Sequence, residues 1–172
     1  MSAWEPVGTQ VSNPDRTILK GGRVVDPVNG VDGSADVLID GGRVTRVGPN
    51  LEIEPGTVII EVPPGCVVCP GFIDMHSHSD VTLLDDPGGE SKVHQGVTTE
   101  VIGNCGFSPF PIGPNGPEGA SDPDMASEDP WTWTDLDGWA GTLETNGISV
   151  NVAPQVGHSA VRAAVGLNLD RR

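Results

Sequence analysis

The run PGFIDMHSHSD, residues 70–80, decides how the rest of this chain is interpreted. A short apolar segment leads directly to two histidines, His76 and His78, that are separated by one residue. Side chains on a β-strand repeat every two residues, so a strand over 71–78 would place both imidazoles on one face, with the Cα atoms about 7 Å apart. This spacing predicts that the two rings converge on one metal ion. The alternative is a solvated strand end that happens to carry histidines.

The residues on either side of the histidines indicate where the strand begins and ends. Pro70-Gly71 marks a sharp entry, and Ser79-Asp80 is typical of an exit into a loop. The histidines would then lie at the carboxyl end of the strand, where parallel α/β proteins bind ligands. Asp74 shares a face with His76 and would either orient its ring or accept a hydrogen bond from a backbone amide below the site.

The segment before this run, residues 17–69, is predicted to be a small all-β module. Two Gly-Gly pairs, at 21–22 and 41–42, each separate short β-prone segments. Both pairs predict tight hairpins, because the two central positions of such a turn favour positive φ. Two further strands are predicted at 57–62 and 66–69.

From Gly71 onward the pattern changes to alternating strands and helices. Strands are predicted at 71–78, 97–103 and 148–154, and helices at 90–94, 134–145 and 159–165. Thr134 with Asp137 fits a capping box at the start of the clearest helix. The alternation predicts right-handed βαβ units and a parallel sheet, and therefore an α/β fold.

Residues 108–130 separate the second strand from that helix and hold six prolines and three glycines. This composition predicts a long loop. The loop follows the second strand, on the side where the histidines are expected. A lid over the site and an unstructured insertion both fit the sequence.

Cysteine supplies a third candidate ligand. The run QGVTTEVIGNCGFS, residues 95–108, predicts a strand that ends at Cys105, and parallel neighbours end at the same sheet edge. A thiolate beside two imidazoles favours zinc over magnesium or calcium. The alternative is a small buried cysteine that packs between loops. Cys66 and Cys69 resemble half of a zinc knuckle, but residues three apart on a strand face opposite ways.

Composition narrows the classes of partner. The formal charge is −15 and the only lysines are Lys20 and Lys92, which argues against binding to nucleic acid or to an anionic membrane. An acidic surface adapted to high salt and ordinary acidic loops both fit this charge. Three cysteines do not predict a disulfide framework, and residues 1–16 read as a flexible polar tail without a signal sequence. A cytoplasmic location is expected.

Three motifs carry a resemblance to a known family: PGFIDMHSH at 70–78, QGVTTEVIGNCGFS at 95–108 and NVAPQVGH at 151–158. The chain resembles the N-terminal part of the amidohydrolase superfamily, and most closely its D-aminoacylase (N-acyl-D-amino-acid deacylase) branch. The resemblance implies a (β/α)₈ barrel with a small β-sandwich. We therefore expect a β-sandwich module at 17–69, followed at 70–172 by the first strands and helices of an incomplete barrel.

The resemblance also implies a site. His76 and His78 would be metal ligands from the first strand, and Cys105 would be the zinc ligand characteristic of the branch. His158 would line the substrate pocket or be an ordinary exposed strand-end histidine. Neither lysine is placed to become the modified lysine that bridges two metals in many relatives, and the sequence does not say whether one or two metals bind.

The implied reaction is hydrolysis of a small-molecule N-acyl-D-amino acid to a carboxylate and a free D-amino acid. No catalytic residue is assigned, because the family's proton-shuttling aspartate has no counterpart in this sequence. The chain is thus expected to be a truncated form that is inactive alone and self-associates through open sheet edges. A cyclic-amide hydrolase, such as a hydantoinase or dihydroorotase, and a non-catalytic remnant are the alternatives.

Overall fold

The computed structural model describes residues 15–114, 116–117 and 131–166. The chain divides between Pro70 and Gly71 into two compact units. Apart from its last two residues, the predicted tail lies outside the described residues; Arg16 begins the first strand. The elements are, in chain order, β1 (Arg16–Asp26), β2 (Val31–Asp40), β3 (Arg43–Gly48), β4 (Val58–Glu61), β5 (Val67–Val68), β6 (Phe72–Asp74), α1 (Thr82–Asp85), α2 (Glu90–Val93), β7 (Val97–Ile102), a 3₁₀ turn (Asn104–Gly106), α3 (Leu136–Asn146), β8 (Asn151–Pro154) and α4 (His158–Ala164).

The first unit contains one five-stranded sheet in the described residues. Its order is β3-β2-β1-β4, and β5 also pairs with β1. The β1–β2 and β2–β3 pairs are antiparallel, whereas β4 and β5 run parallel to β1. Val24, Ala35 and Val37 form its buried cluster.

The two Gly-Gly pairs have different structures. The prediction for 41–42 is confirmed: these residues link β2 to β3, and both have positive φ, at 56° and 73°. The hairpin predicted at 21–22 is wrong, because β1 continues through it as one strand, with a register shift against β2 between Leu19 and Gly22. The irregularity is stabilised by Asp36, whose carboxylate accepts a hydrogen bond from the Gly21 amide at 2.9 Å.

The second unit contains the predicted parallel sheet, in the order β6-β7-β8. Its strands are shorter than the sequence suggested. β6 ends at Asp74, so neither candidate histidine lies on a strand, and β8 begins only at Asn151. Beyond β6, the Ser77 amide still donates to the carbonyl of Val101 at 3.0 Å, which keeps the departing segment beside β7.

An aromatic core packs against this sheet. Phe110 and Trp139 pack with ring centroids 5.4 Å apart, and Ile112 packs against the same cluster. The beginning of the predicted 108–130 loop is therefore anchored in the core, which contradicts a mobile lid for that part; Asn115 and residues 118–130 lie outside the described residues. The buried members of this core are Leu83, Ile102, Phe110, Trp133, Trp139, Leu143 and Val150.

Helix α3 begins one residue later than the predicted capping box implies. Its N-cap is Asp135, whose carboxylate accepts a hydrogen bond from the Gly138 amide at 3.0 Å. Thr134 makes no such bond in the described structure and contributes its backbone carbonyl to the Ile112 amide instead. At 11 residues, α3 is the longest helix described, shorter than the about 20 residues needed to cross a bilayer.

The assignment of Asp135 as the N-cap of α3 can be tested by measuring stability. Replacing Asp135 by alanine leaves the Gly138 amide without its acceptor, and we expect the free energy of unfolding to fall by about 1 kcal/mol. Thr134→Ala serves as the matched control and should change it by less than about 0.5 kcal/mol. Urea denaturation followed by tryptophan fluorescence measures both. Equal losses in the two variants would contradict the assigned cap.

Candidate metal centre

Three side chains of the second unit form one cluster of potential metal ligands. The Sγ atom of Cys105 lies 3.4 Å from Nε2 of His76 and 3.4 Å from Nε2 of His78. The two imidazole rings are tilted by 58°, with centroids 5.3 Å apart. All three ligand atoms lie within 4.8 Å of one another, and within the described residues no other group of three such side chains meets this condition. The structure thus brings together the three residues that the sequence analysis selected.

The spacing of these atoms agrees with the size of a zinc ion. Bonds of about 2.0–2.1 Å to nitrogen and about 2.3 Å to sulfur, arranged tetrahedrally, separate the ligand atoms by roughly 3.3–3.6 Å. Both sulfur-to-nitrogen distances fall in this range. One thiol and two imidazoles are also the donor set that favours zinc over the oxygen-preferring cations.

The thiol of Cys105 belongs to a tight turn and not to the end of a strand. Strand β7 stops at Ile102, and Cys105 lies in the following 3₁₀ turn with a φ of 55°, a left-handed conformation unusual for a residue with a Cβ. The Asn104 side-chain amide donates to the carbonyls of Ser77 (3.1 Å) and Val101 (2.8 Å). The turn is therefore bound to the histidine-bearing segment and to the end of β7. Such strain is typical of functional sites.

Asp74 fixes the backbone of the histidine-bearing segment. One of its oxygens accepts a hydrogen bond from the His76 amide at 3.1 Å, and the other lies 2.6 Å from the Lys92 ammonium. The hydrogen bond from Lys92 lowers the pKa of Asp74, and the same bond raises the pKa of Lys92. Of the two predicted roles for Asp74, the structure shows the backbone one. Lys92 is held in ion pairs with Asp74 and Glu100.

Two buried acids beside the cluster were not predicted from the sequence. Glu100 is completely buried on β7 and Asp80 is 4% exposed. Burial raises the pKa of Asp80, although one of its oxygens accepts the Gly103 amide at 2.7 Å. For Glu100 the sequence offered a signal, because an acid within the β-prone segment 97–102, next to Val101 and Ile102, would carry a costly unpaired charge if that strand were buried.

The remaining candidates are not members of the cluster. His158 is the first residue of α4, four residues beyond the end of β8, and is exposed. It therefore does not end the third strand as predicted, because the chain turns through 155–157 before the helix. Cys66 and Cys69 are exposed on either side of β5, in the first unit.

The sequence of this chain is similar to that of a known protein family and to those of known enzymes. A family model described as "Amidohydrolase family" matches residues 64–172. The N-acyl-D-glutamate deacylase of Alcaligenes xylosoxydans xylosoxydans is 36% identical over 149 residues, which cover 86% of this chain and 29% of that enzyme. The chain thus spans less than a third of the length of this relative.

Solved structures give the same result. A D-aminoacylase structure concerned with the role of its binuclear metal centre superposes with a TM-score of 0.77 at 37% identity, over 90% of this chain and 32% of that one. The N-acyl-D-glutamate deacylase of Bordetella bronchiseptica, solved with zinc and a phosphonate mimic of the tetrahedral intermediate, gives 0.75 at 29% identity, over 88% and 31%. The mixed α/β arrangement of this chain is therefore that of part of the D-aminoacylase fold.

Proposed function

This chain belongs to the amidohydrolase family, and on that premise we propose that it carries part of the zinc centre of an N-acyl-D-amino-acid deacylase. The observation that supports this most directly is the placement of one thiol sulfur 3.4 Å from two imidazole nitrogens. The deacylases of similar sequence hydrolyse carbon–nitrogen bonds, and a metal centre of this kind suits that reaction.

In this proposal His76, His78 and Cys105 hold the metal. A zinc ion bound there supplies a Lewis acid toward an amide carbonyl and toward water. His76 and Cys105 are exposed, so the cluster is open to a small substrate in the described part of the chain. The turn at Asn104–Gly106 holds the thiol close to the rings, and the Asp74 carboxylate holds the backbone of the segment that bears them.

We further propose that the second unit forms the first part of a (β/α)₈ barrel and that the first unit forms one layer of a sandwich. The parallel order β6-β7-β8 with intervening helices supports the first proposal. Phe72 and Ile73 on β6 are 56% and 60% exposed. In the isolated chain we expect this apolar edge strand to promote self-association.

Zinc binding by the chain tests the proposed centre. Wild-type protein is titrated against a chromophoric chelator, and cobalt(II) is used to observe a thiolate-to-metal charge-transfer band. We expect Cys105→Ala to abolish that band, and His76→Ala or His78→Ala to lower zinc affinity by at least about 100-fold, because each removes one of three ligands.

The exposed residues His94 and Cys66 provide matched controls of the same residue types: neither belongs to the cluster, and His94 precedes β7, at the opposite end of that strand from Cys105. His94→Ala and Cys66→Ala should both retain wild-type affinity. Equal zinc affinity in wild type and all three ligand variants would refute the proposed centre. Binding without any deacylase activity in a chain extended through the barrel would instead favour a cyclic-amide hydrolase or a non-catalytic remnant.

A further inference from the structure

The buried carboxylate of Glu100 contacts the segment that bears the two histidines. Its Oε2 atom accepts hydrogen bonds from the hydroxyls of Ser77 and Ser79, the latter at 2.6 Å. The Lys92 ammonium lies 3.6 Å from the same oxygen, but is closer to Asp74, at 2.6 Å. We propose that Glu100 is a positioning residue that, by binding Ser77 and Ser79, sets the conformation in which His76 and His78 face Cys105.

A carboxylate at this position is costly for the fold. Glu100 is completely buried, and its Oε1 atom has no hydrogen-bond partner among the described residues. The next two residues of the strand, Val101 and Ile102, are apolar and buried. An apolar residue of similar volume would remove the desolvation cost of the charge, and replacing buried ion pairs in this way is often neutral or stabilising. Stability alone therefore does not account for a glutamate here.

The alternation of serine and histidine in residues 76–79 explains why a glutamate is present at position 100. Residues 76–79 read His-Ser-His-Ser, and the segment has left the sheet, since β6 ends at Asp74. One backbone hydrogen bond, from the Ser77 amide to the Val101 carbonyl, keeps the segment beside β7, but no strand ladder runs through residues 76–79 to fix the directions of all four side chains. The two serine hydroxyls are bound to Glu100, while both histidine Nε2 atoms lie 3.4 Å from the Cys105 sulfur. The Oε2 atom of Glu100 thus binds both serines, while the two histidines that alternate with them lie at the cluster.

This inference rests on the proposed zinc centre, and it makes a quantitative claim about that centre. Residues that orient metal ligands typically contribute about 10- to 100-fold to metal affinity. We expect Glu100→Gln to lower zinc affinity within that range, because the amide retains the volume but loses the charge that strengthens both hydroxyl bonds. The double variant Ser77→Ala/Ser79→Ala should produce a similar loss with Glu100 intact.

Zinc competition titrations and cobalt(II) spectra of the full chain test the claim. Leu143→Ala is the control: it removes a buried core side chain of α3 and destabilises the fold without touching Glu100 or the serines. We expect normal affinity and an unchanged cobalt band in this variant, but weaker binding and an altered band in Glu100→Gln. Ser79→Ala alone is the milder substitution if Glu100→Gln does not fold.

The outcomes separate the two proposals. If the unsubstituted chain binds zinc and Glu100→Gln or Ser79→Ala binds it equally well, the positioning role is refuted and the zinc centre stands. The same conclusion follows if Leu143→Ala weakens binding as much as Glu100→Gln, since a general loss of stability then explains both. If the unsubstituted chain binds no zinc, the proposed centre fails, and the positioning role fails with it.

Discussion

N-acyl-D-amino acids are expected to remain intact in a solution of the zinc-loaded 172-residue chain. Hydrolysis at a zinc centre needs metal ligands, an open coordination position and a group that accepts a proton. The acids described near the cluster are not free for that last role. Asp74 is bound to Lys92 and to the His76 amide, and Glu100 and Asp80 are buried. Because enzymes accelerate such reactions by at least about 10⁶-fold, the missing activity should be easy to recognise.

The measurement is release of D-amino acid, detected with a D-amino-acid oxidase, from N-acyl-D-glutamate and a neutral N-acyl-D-amino acid. The control is the His76→Ala/His78→Ala double variant, which removes two proposed ligands. We expect the two rates to be equal within error. Turnover by the wild-type chain clearly above that of the double variant would show that the chain contains a complete catalytic centre.

Gly103→Ala is expected to lower the free energy of unfolding by about 2–5 kcal/mol and to displace the thiol. Gly103 has a φ of 81°, where a residue with a Cβ costs about 1–2 kcal/mol. A Cβ there would also lie 2.0 Å from the Gln155 carbonyl oxygen, so the backbone must move, at a cost of about 1–3 kcal/mol. Gly103 precedes the turn that carries Cys105, so this movement should also weaken zinc binding.

Gly89→Ala isolates the two contributions. Gly89 is likewise left-handed, with φ 53° and ψ 35°, but a Cβ there would meet only Leu83 and Val150, at 3.6 and 3.9 Å, which are ordinary contact distances, so only the conformational cost applies. We expect urea denaturation to show a loss of about 1–2 kcal/mol for this control and no change in zinc affinity. If the two variants lose equal stability and bind zinc equally well, Gly103 does not support the turn through its close contact with Gln155.

The sequence predicted which residues form the cluster better than it predicted the backbone that carries them. His76, His78 and Cys105 were selected by donor chemistry and by the rule that neighbouring parallel strands end at one edge. However, β6 ends before both histidines, and Cys105 follows β7 in a left-handed turn. The period-two argument therefore selected the correct residues although they do not lie on a strand.

Contacts between distant residues explain what could not be predicted. Gly21-Gly22 and Gly41-Gly42 are identical dipeptides, yet the first becomes an irregularity within β1, because β2 pairs along both halves of that strand and Asp36 binds the Gly21 amide. The serine partners of Glu100 could not be predicted for the same reason. Ser77 and Ser79 lie more than 20 residues from Glu100 in the sequence, and no local pattern connects them.

The left-handed backbone at Cys105 has a consequence for how this position can vary. Glycine would suit a φ of 55° best, and asparagine would tolerate it, so cysteine is not the residue that folding favours there. Its thiol, however, is what gives the cluster its sulfur donor. If Cys105 is the metal ligand that we propose, stability and metal binding oppose each other at this position, because a substitution that stabilises the backbone there would also remove the sulfur donor.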